Sequence, residues 1–175
     1  MAHHIAALVV LGLSLSGIAT PVTERQATAG ITALTQAQID FFTPYSYYAA
    51  AAYCPPQDTL AWNCTVDCAA NPGFKPIASG GDGSAVQYWY VGYDPALKTV
   101  IVGHQGTETN ILAILTDATF LMESLNATLF PGIPAGIEAH SGFANEHAKT
   151  AETVLANVKQ ALSITGFNKV TMVGH

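Results

Sequence analysis

The sequence predicts an α/β fold, in which helices cover a central β-sheet. A mostly apolar strand at residues 99–103 follows another strand at 85–93 after a turn of hairpin length, so these two are expected to be antiparallel. A long amphipathic helix then leads into a third strand at 169–173. A helix that joins two strands of one sheet forms an α/β crossover unit. The hairpin and the crossover together define the fold class.

Length and composition exclude several classes of protein. The 175 residues are 50% hydrophobic and only 10% charged, with a net charge of −6. Nucleic-acid binding needs clustered lysine and arginine, so we expect no nucleic-acid partner. A chain this apolar can bury a core, which argues against disorder. Length alone predicts one domain.

An apolar run over residues 5–13, followed by small residues, predicts a secretory signal peptide over residues 1–20. The run is too short to span a bilayer, which takes about 20 apolar residues, and no later run is long enough to anchor the chain. A buried N-terminal helix is the alternative interpretation. Residues 21–33 are predicted to be a short propeptide or a loose arm. We therefore expect a secreted, extracellular protein whose folded domain covers residues 34–175.

The three cysteines are interpreted in the light of secretion. Cys64 and Cys68 are four residues apart, a spacing that can close a small disulfide loop. A zinc site is the alternative, although no histidine follows at finger-like spacing. Cys54 is then left over, which indicates a missing partner, an intermolecular partner or a free thiol. Asn63 and Asn126 each begin an N-glycosylation sequon.

The first predicted helix begins at a capping box formed by Thr35 and Gln38 and is expected to reach Tyr53. Pro44 should kink or divide this helix. The residues that follow, 54–83, are rich in proline and glycine and are predicted to be a loop.

Two further helices are predicted from apolar periodicity. One is short and covers residues 110–122. The other begins at Ser141 and ends before Gly166, a candidate C-cap. Its predicted apolar stripe consists of Ala144, Ala148, Ala151, Leu155, Val158 and Leu162.

Two loops that follow predicted strands carry candidate chemistry. The strand at 169–173 ends in Gly174-His175, which could be the first half of the Gly-x-Ser-x-Gly elbow of α/β-hydrolases. These two residues alone favour the alternative, an ordinary strand end with a hydrogen-bonded histidine. The strand at 99–103 runs into a loop that contains Gly106 and Thr107. Gly106 allows close approach of the backbone, and Thr107 offers an N–H and a hydroxyl to an oxyanion. A plain glycine turn is the alternative.

The predicted helix over 110–122 follows this loop and could cover an apolar site as a lid. The candidate lid residues are Asn110, Ile111, Leu112, Ile114 and Leu115. His140 and His147, seven residues apart, are a candidate metal pair, but two such histidines are usually surface residues. We therefore expect no metal site.

In this order, the parts of the chain resemble the fungal class 3 lipase family, which includes feruloyl esterases. The resemblance covers roughly residues 34–175. Six motifs carry it: Ala51-Ala52-Tyr53-Cys54, the Cys64–Cys68 loop, the hairpin strands, Gln105-Gly106-Thr107 with its lid, His140-Ser141-Gly142-Phe143, and residues 170–175. The family usually has Phe-Arg before the loop glycine, whereas this chain has His104-Gln105 and so lacks a charged anchor.

The resemblance implies the N-terminal half of an α/β-hydrolase fold with a central mixed sheet, ending at the nucleophile elbow. It implies that Gly106 and Thr107 form the oxyanion hole, that Gly174 and His175 belong to the elbow, and that His140 is structural. It pairs Cys64 with Cys68 and ties Cys54 to a later cysteine. The serine, aspartate and histidine of the triad would all follow His175, so the chain as given would be inactive.

The resulting prediction is a secreted, triacylglycerol lipase-like carboxylic ester hydrolase with a Ser-His-Asp acyl-transfer mechanism. Its partner would be an ester substrate at a lipid–water interface, because an apolar lid favours lipid esters over sugar-linked aromatic esters. No cofactor is expected. The alternative is a non-catalytic secreted binding or cell-surface protein that ends at His175. Without later strands, the edge of the strand at 169–173 should be unpaired and apolar.

Overall fold

The structure of this chain is a computed structural model that describes residues 32–106 and 121–174. Its helices and strands in chain order are α1 (Gln36–Ala51), α2 (Pro56–Ala61), α3 (Thr65–Ala69), β1 (Lys75–Gly80), β2 (Trp89–Asp94), β3 (Thr99–His104), β4 (Met122–Ser124), β5 (Glu138–His140), α4 (Ser141–Thr165) and β6 (Val170–Gly174).

Four strands form the central sheet, in the order β1-β2-β3-β6. β2 is antiparallel to both β1 and β3, and Trp89 lies opposite His104 across the β2–β3 hairpin. β6 is parallel to β3, from Val170 opposite Val100 to Gly174 opposite His104. Because α4 precedes β6 in the chain, these elements form the predicted crossover unit. The sheet is therefore mixed, which confirms the predicted fold class. β4 and β5 form a separate two-stranded antiparallel sheet.

Helices cover the two faces of the central sheet. Side chains alternate between the faces along a strand. On one face Tyr90 packs with Tyr48 of α1, and on the other Val91 and Val102 pack with Ala161 of α4. β3 is buried on both faces, as its continuous apolar character predicts.

Two strand glycines allow aromatic rings to lie directly on the sheet. A Cβ atom at Gly103 would lie 2.1 Å from the Tyr90 ring, and one at Gly92 would lie 2.3 Å from the Phe74 ring. The centroids of Phe74 and Tyr90 are 5.6 Å apart, and those of Phe74 and Trp62 are 4.2 Å apart. The α1 face of the core is therefore built mainly from aromatic rings, which bury large areas per residue.

α1 begins at the predicted capping box. The Thr35 hydroxyl accepts a hydrogen bond from the Gln38 N–H at 3.3 Å, and Gln38 Oε1 accepts one from the Thr35 N–H at 2.9 Å. The helix runs through Pro44 and ends at Ala51, so the expected division at the proline is wrong. The Pro44 carbonyl accepts a hydrogen bond from Asn71 Nδ2 at 3.0 Å. Tertiary contacts of this kind offset the hydrogen bond that proline removes from a helix.

The prediction that residues 54–83 form a loop is wrong, because α2, α3 and β1 lie within this range. β1 has no apolar alternation, and it contains Pro76. Its register with β2 shifts between Pro76 and Ala78. An edge strand tolerates both a proline and a bulge, since one side of its backbone has no ladder to maintain. This segment is therefore a strand because it pairs with β2, although its own sequence has no alternating pattern.

α4 begins at Ser141 as predicted, and Gly166 with φ 68° forms its left-handed C-cap. The predicted apolar stripe is only partly correct, because Leu155 is 53% exposed and Ala148 is exposed as well. Half of the predicted stripe consists of alanines, and alanine is a weak indicator of which face of a helix is buried. The residues that face the sheet are Thr150, Val154, Val158, Ala161 and Leu162.

Cys64 and Cys68 form a disulfide bond that flanks α3, as the resemblance implies. Both are buried beside the aromatic residues of the α1 face. Cys54 is a free cysteine that packs against the same cluster, and burial raises the pKa of its thiol. The disulfide therefore closes a small loop within the segment between α2 and β1, and the packing of its buried sulfur atoms holds this segment against the core.

The outer edge of β6 faces no strand within the described residues. Met172 is 66% exposed and Val170 is 40% exposed along this edge. The edge is thus unpaired and apolar in the described part of the chain, as expected. No helix in residues 32–106 and 121–174 is both long and apolar enough to cross a membrane.

Several expectations lie outside the described residues. They are the signal peptide over residues 1–20, nearly all of the arm over 21–33, and the lid helix over 110–122 up to residue 120. Met122, the last residue of the predicted lid helix, belongs to β4 instead.

Candidate active site

The two loops with candidate chemistry leave the sheet at the same end, where β3 and β6 finish. β3 and β6 are adjacent and parallel, and their last residues, His104 and Gly174, lie opposite each other. Gln105 and Gly106 therefore continue from one strand beside the point where the other ends. In open α/β sheets, ligands bind outside the carboxyl ends of the strands. This end of the sheet, at the carboxyl ends of β3 and β6, is the candidate active site.

Gly174 occupies a position where a side chain does not fit. A Cβ atom there would lie 2.9 Å from the carbonyl oxygen of His104. The adjacent strand, rather than an unusual backbone angle, makes glycine necessary. This crowding agrees with the role of a glycine in a tight strand-to-helix turn. His175, the other predicted elbow residue, lies outside the described part of the chain.

Two hydrogen bonds hold Gln105 to the chain that enters β2. The Gln105 N–H donates to the Tyr88 carbonyl at 2.8 Å, and the Tyr88 N–H donates to Gln105 Oε1 at 2.9 Å. Gln105 is buried, and so is the adjacent Gly106. A neutral amide therefore anchors the start of this loop, at the position where the family that this chain resembles usually has an arginine. Thr107, the predicted oxyanion residue, lies outside the described residues.

His104 connects the end of β3 to α4. Its Nε2 lies 3.5 Å from the Thr150 hydroxyl oxygen. Burial lowers the pKa of His104, while a hydrogen bond to the backbone of Gln105 and the charge of Glu146 act in the opposite direction. The imidazole is therefore neutral near pH 7, where it can accept or donate a hydrogen bond towards Thr150.

The segment before β2 is also attached to α4. Lys149 Nζ donates to the Ala85 carbonyl at 2.6 Å and forms an ion pair with Glu146. The Gln87 N–H approaches Glu146 Oε1 at 3.5 Å. The Gln87 side chain is buried, and its Oε1 has no hydrogen-bond partner within the described residues. The residues that precede Tyr88 are thus held against the N-terminal half of α4.

His140 lies at the N-cap of α4. Its Nδ1 accepts a hydrogen bond from the Gly142 N–H at 3.1 Å, and its ring contacts the Phe143 ring edge-on at a centroid distance of 5.4 Å. This geometry gives His140 a structural role. The ring of His147 lies instead 5.2 Å from that of Phe130. Among the described residues, no group of three or more histidine, cysteine, aspartate or glutamate side chains could hold a metal ion.

The described residues thus place Gly106 just after β3 and Gly174 at the end of β6, at the same end of the sheet, and the oxyanion and elbow roles of these glycines stay predictions. The predicted lid residues Asn110, Ile111, Leu112, Ile114 and Leu115 lie outside the described part of the chain. The supporting roles of Tyr88, Thr150 and Glu146 were missed. Tyr88 acts through its backbone, which no side-chain pattern reveals. The polar Thr150 on the inner side of a helix was an available signal.

Comparison with solved structures identifies the fold. Lipase II from Rhizopus niveus is 26% identical, with a TM-score of 0.64 over 81% of this chain and 51% of that chain. The triacylglyceride lipase of Rhizomucor miehei is 24% identical, with a TM-score of 0.64 over 83% and 52%. A lipase from Rhizopus microsporus var. chinensis is 24% identical, with a TM-score of 0.64 over 93% and 56%. No protein-family model matches the chain, and no curated protein matches it by sequence.

The class of the fold follows from these matches. It is a lipase-like α/β fold of the α/β-hydrolase type with a central mixed sheet, as the resemblance implied. The chain spans about half the length of the lipases it matches.

Proposed function

We propose that this chain belongs to a secreted carboxylic ester hydrolase that acts on lipid esters. The observation that carries the proposal is that Gly106 follows two residues after the end of β3, while Gly174 ends the adjacent parallel strand β6. A hydrolase of this type needs an oxyanion loop and a nucleophile elbow within a few ångströms of each other, because both act on one carbonyl group. The fold of this chain supplies the two loops from neighbouring strands.

In the proposed mechanism, the serine of the Gly-x-Ser-x-Gly elbow follows His175 and attacks the ester carbonyl. A histidine held by an aspartate takes the serine proton and returns it to the leaving alcohol, and water then releases the acid. The oxyanion accepts hydrogen bonds from the N–H and hydroxyl of Thr107. Gly106 lets the backbone approach the oxyanion, and the Gln105–Tyr88 hydrogen bonds hold the start of the loop in place.

The substrate class is proposed from two considerations. The solved structures with this fold include triacylglycerol lipases, one of them described through a model for interfacial activation. The predicted apolar helix over 110–122 would cover the site and open at a lipid–water interface, exposing apolar surface there. Secretion through the signal peptide over residues 1–20 would place the enzyme where such substrates occur.

The proposal is tested on the transcript and then on the protein. The reading frame is sequenced across the codon for His175, and the complete protein is assayed with emulsified triacylglycerol and a short-chain nitrophenyl ester. A serine codon after His175 and measurable hydrolysis are expected. Thr107→Ala should lower kcat by about 10²–10³-fold, the usual effect of removing one oxyanion donor. Thr153→Ala, an exposed threonine on α4, is the matched control.

Two results would contradict the proposal. A stop codon directly after His175 would favour the non-catalytic binding or cell-surface protein. Full activity of the Thr107→Ala variant would show that the oxyanion hole lies elsewhere. The 175 residues alone are expected to give no turnover above background, because the proposed serine is not among them.

A further inference from the structure

We infer that Asn126 is the N-glycosylated residue of this protein and that Asn63 is not modified, although both begin a sequon. The inference rests on the proposed entry of the chain into the secretory pathway. The sequence motif treats the two sites as equivalent, since each has threonine two residues after the asparagine. The structure distinguishes them.

Asn126 lies in an exposed turn that presents its side-chain amide. Its Oδ1 accepts a hydrogen bond from the Thr128 N–H at 2.8 Å and a longer one from the Leu129 N–H at 3.4 Å. This is an Asx-turn, in which the asparagine side chain folds onto the backbone two residues on. Because the amide group is planar, an oxygen turned towards the backbone leaves Nδ2 directed away from it.

The hydrogen bonds of the turn at Asn126 join only neighbouring residues. The Asn126 carbonyl also accepts hydrogen bonds from the N–H groups of Leu129 at 3.1 Å and Phe130 at 2.9 Å. All of these contacts join residues at most four positions apart. None of these hydrogen bonds requires a residue from elsewhere in the fold, so a glycosyltransferase can meet the same geometry in a newly translocated chain.

The chemistry of transfer suits this geometry. Nδ2 attacks C1 of an oligosaccharide linked to a polyprenyl diphosphate, and an N–C1 bond forms as the C1–O bond to the diphosphate breaks. Nδ2 gives up one proton, and the polyprenyl diphosphate leaves with the electron pair of the broken bond. Hydrogen bonds accepted by Oδ1 draw electron density from the amide and make the Nδ2 protons more acidic. The Asx-turn of Asn126 supplies these bonds, and the exposed Ala127 and Thr128 leave room for the transferase.

The sequon at Asn63 is also exposed at Asn63 and Thr65, but its conformation differs. Its middle residue, Cys64, is buried and bonded to Cys68. Thr65 has φ 56°, a left-handed conformation that is strained for a β-branched residue, and its N–H donates to the Asn63 carbonyl at 2.8 Å rather than to the side chain. The Asn63 N–H donates to the carbonyl of Asp58 at 3.0 Å. Once the disulfide closes, this sequon is held in a conformation in which the Thr65 N–H is bonded to the Asn63 carbonyl and is not available for an Asx-turn.

The experiment translates the full chain in vitro with endoplasmic-reticulum microsomes and scores glycan attachment by a mobility shift that endoglycosidase H reverses. One version keeps its own N-terminus, and a second carries a host signal sequence in front of the full chain. The variants are Asn126→Gln, Thr128→Ala, Thr128→Ser and Asn63→Gln. One shift is expected for the unmodified chain, for Thr128→Ser, which keeps the sequon, and for Asn63→Gln. No shift is expected for Asn126→Gln or Thr128→Ala.

Each outcome decides the inference. A protease-protected chain without a shift, a shift that survives Asn126→Gln, or a shift that is lost in Asn63→Gln would overturn it. Protease protection is measured in parallel because it reports translocation independently of modification. If only the version with the host signal sequence is protected and it carries its glycan at Asn126, the proposed secretion fails while the assignment of Asn126 holds.

Discussion

Gln105 and Tyr88 exchange two hydrogen bonds, and this pair fixes the direction in which the chain leaves β3. One of the bonds uses the Gln105 side chain, so it can be removed by substitution while the backbone bond remains. The pair also accounts for a glutamine at the position where the resembling family has an arginine. A single neutral acceptor from the buried Gln105 satisfies the N–H of the half-buried Tyr88 without bringing a buried charge, which would need a partner of its own.

Gln105→Ala is expected to destabilise the fold by about 1 kcal/mol, because it removes the acceptor of the Tyr88 N–H in a half-buried hydrogen bond. Urea unfolding followed by circular dichroism measures the change. Gln105→Glu retains an acceptor oxygen and should recover part of the loss, whereas Gln160→Ala, an exposed glutamine on α4, should have little effect. Equal stability of Gln105→Ala and Gln160→Ala would show that the Gln105 side chain does not hold the loop.

Tyr48→Phe is expected to lower the free energy of unfolding by about 1.5–3 kcal/mol, the range for hydrogen bonds to charged groups. The Tyr48 hydroxyl donates to Asp94 Oδ2 at 2.7 Å, and both residues are buried. Burial, followed by the hydrogen bond and negative charge of Asp94, raises the pKa of Tyr48, so the phenol remains a donor. Thermal unfolding of this variant is compared with that of Tyr47→Phe, the same change on the same helix. A similar loss in both variants would contradict the assigned role of the hydroxyl.

Gly103→Ala is expected to cost about 1–3 kcal/mol, the usual range for overpacking a core. A methyl group at this position would lie 2.1 Å from the Tyr90 ring, and the ring cannot retreat because its hydroxyl donates to the Tyr48 carbonyl at 2.6 Å. The matched control is Gly73→Ala, since a methyl group there meets no atom within 4 Å. Denaturant midpoints of the two variants provide the measurement, and an unchanged midpoint for Gly103→Ala would mean that the ring is not held against β3.

His104 should make the stability of the fold depend on pH. Burial lowers the pKa of His104 in the folded chain below its ordinary value of 6.5. As the pH falls below 6.5, the unfolded chain takes up a proton at His104 that the folded chain does not, so stability decreases through this window. Above 6.5 the contribution is fully present. The melting temperature of His104→Asn should therefore fall less steeply below pH 6.5 than that of the unmodified chain, and parallel curves would rule out His104 as the titrating group.

The sequence predicts those parts of the fold that have a repeating signal of their own. The hairpin of β2 and β3, the capping box at Thr35 and the C-cap at Gly166 all appear where expected. Continuous apolar character places β3 in the interior, because a strand buried on both faces needs apolar residues at successive positions. These elements are determined mainly by residues close to them in the chain.

The errors fall where distant contacts decide the structure. β1 is a strand because its backbone forms hydrogen bonds with β2. Pro44 remains inside α1 because packing stabilises the helix on both sides of it. The inner face of α4 was misplaced because its sheet contacts include Thr150, a polar residue that approaches His104. At the candidate site, motifs predicted that Gly106 follows one strand and that Gly174 ends another. The hydrogen bonds between the Tyr88 backbone and Gln105 join residues 17 positions apart, and no motif predicts them.

The separation along the chain between β3 and β6 has a consequence for the order of assembly. β1, β2 and β3 follow one another closely, whereas the hydroxyls of Thr99 and Thr171, which meet at 2.9 Å across the β3–β6 seam, are 72 positions apart. Closing so long a loop costs more entropy than closing a hairpin, so local pairs form before distant ones. The antiparallel hairpins should therefore fold first, and β6 should be the last of these four strands to join the sheet. The end of the sheet that carries Gly106 and Gly174 is then completed only after the hairpins have formed.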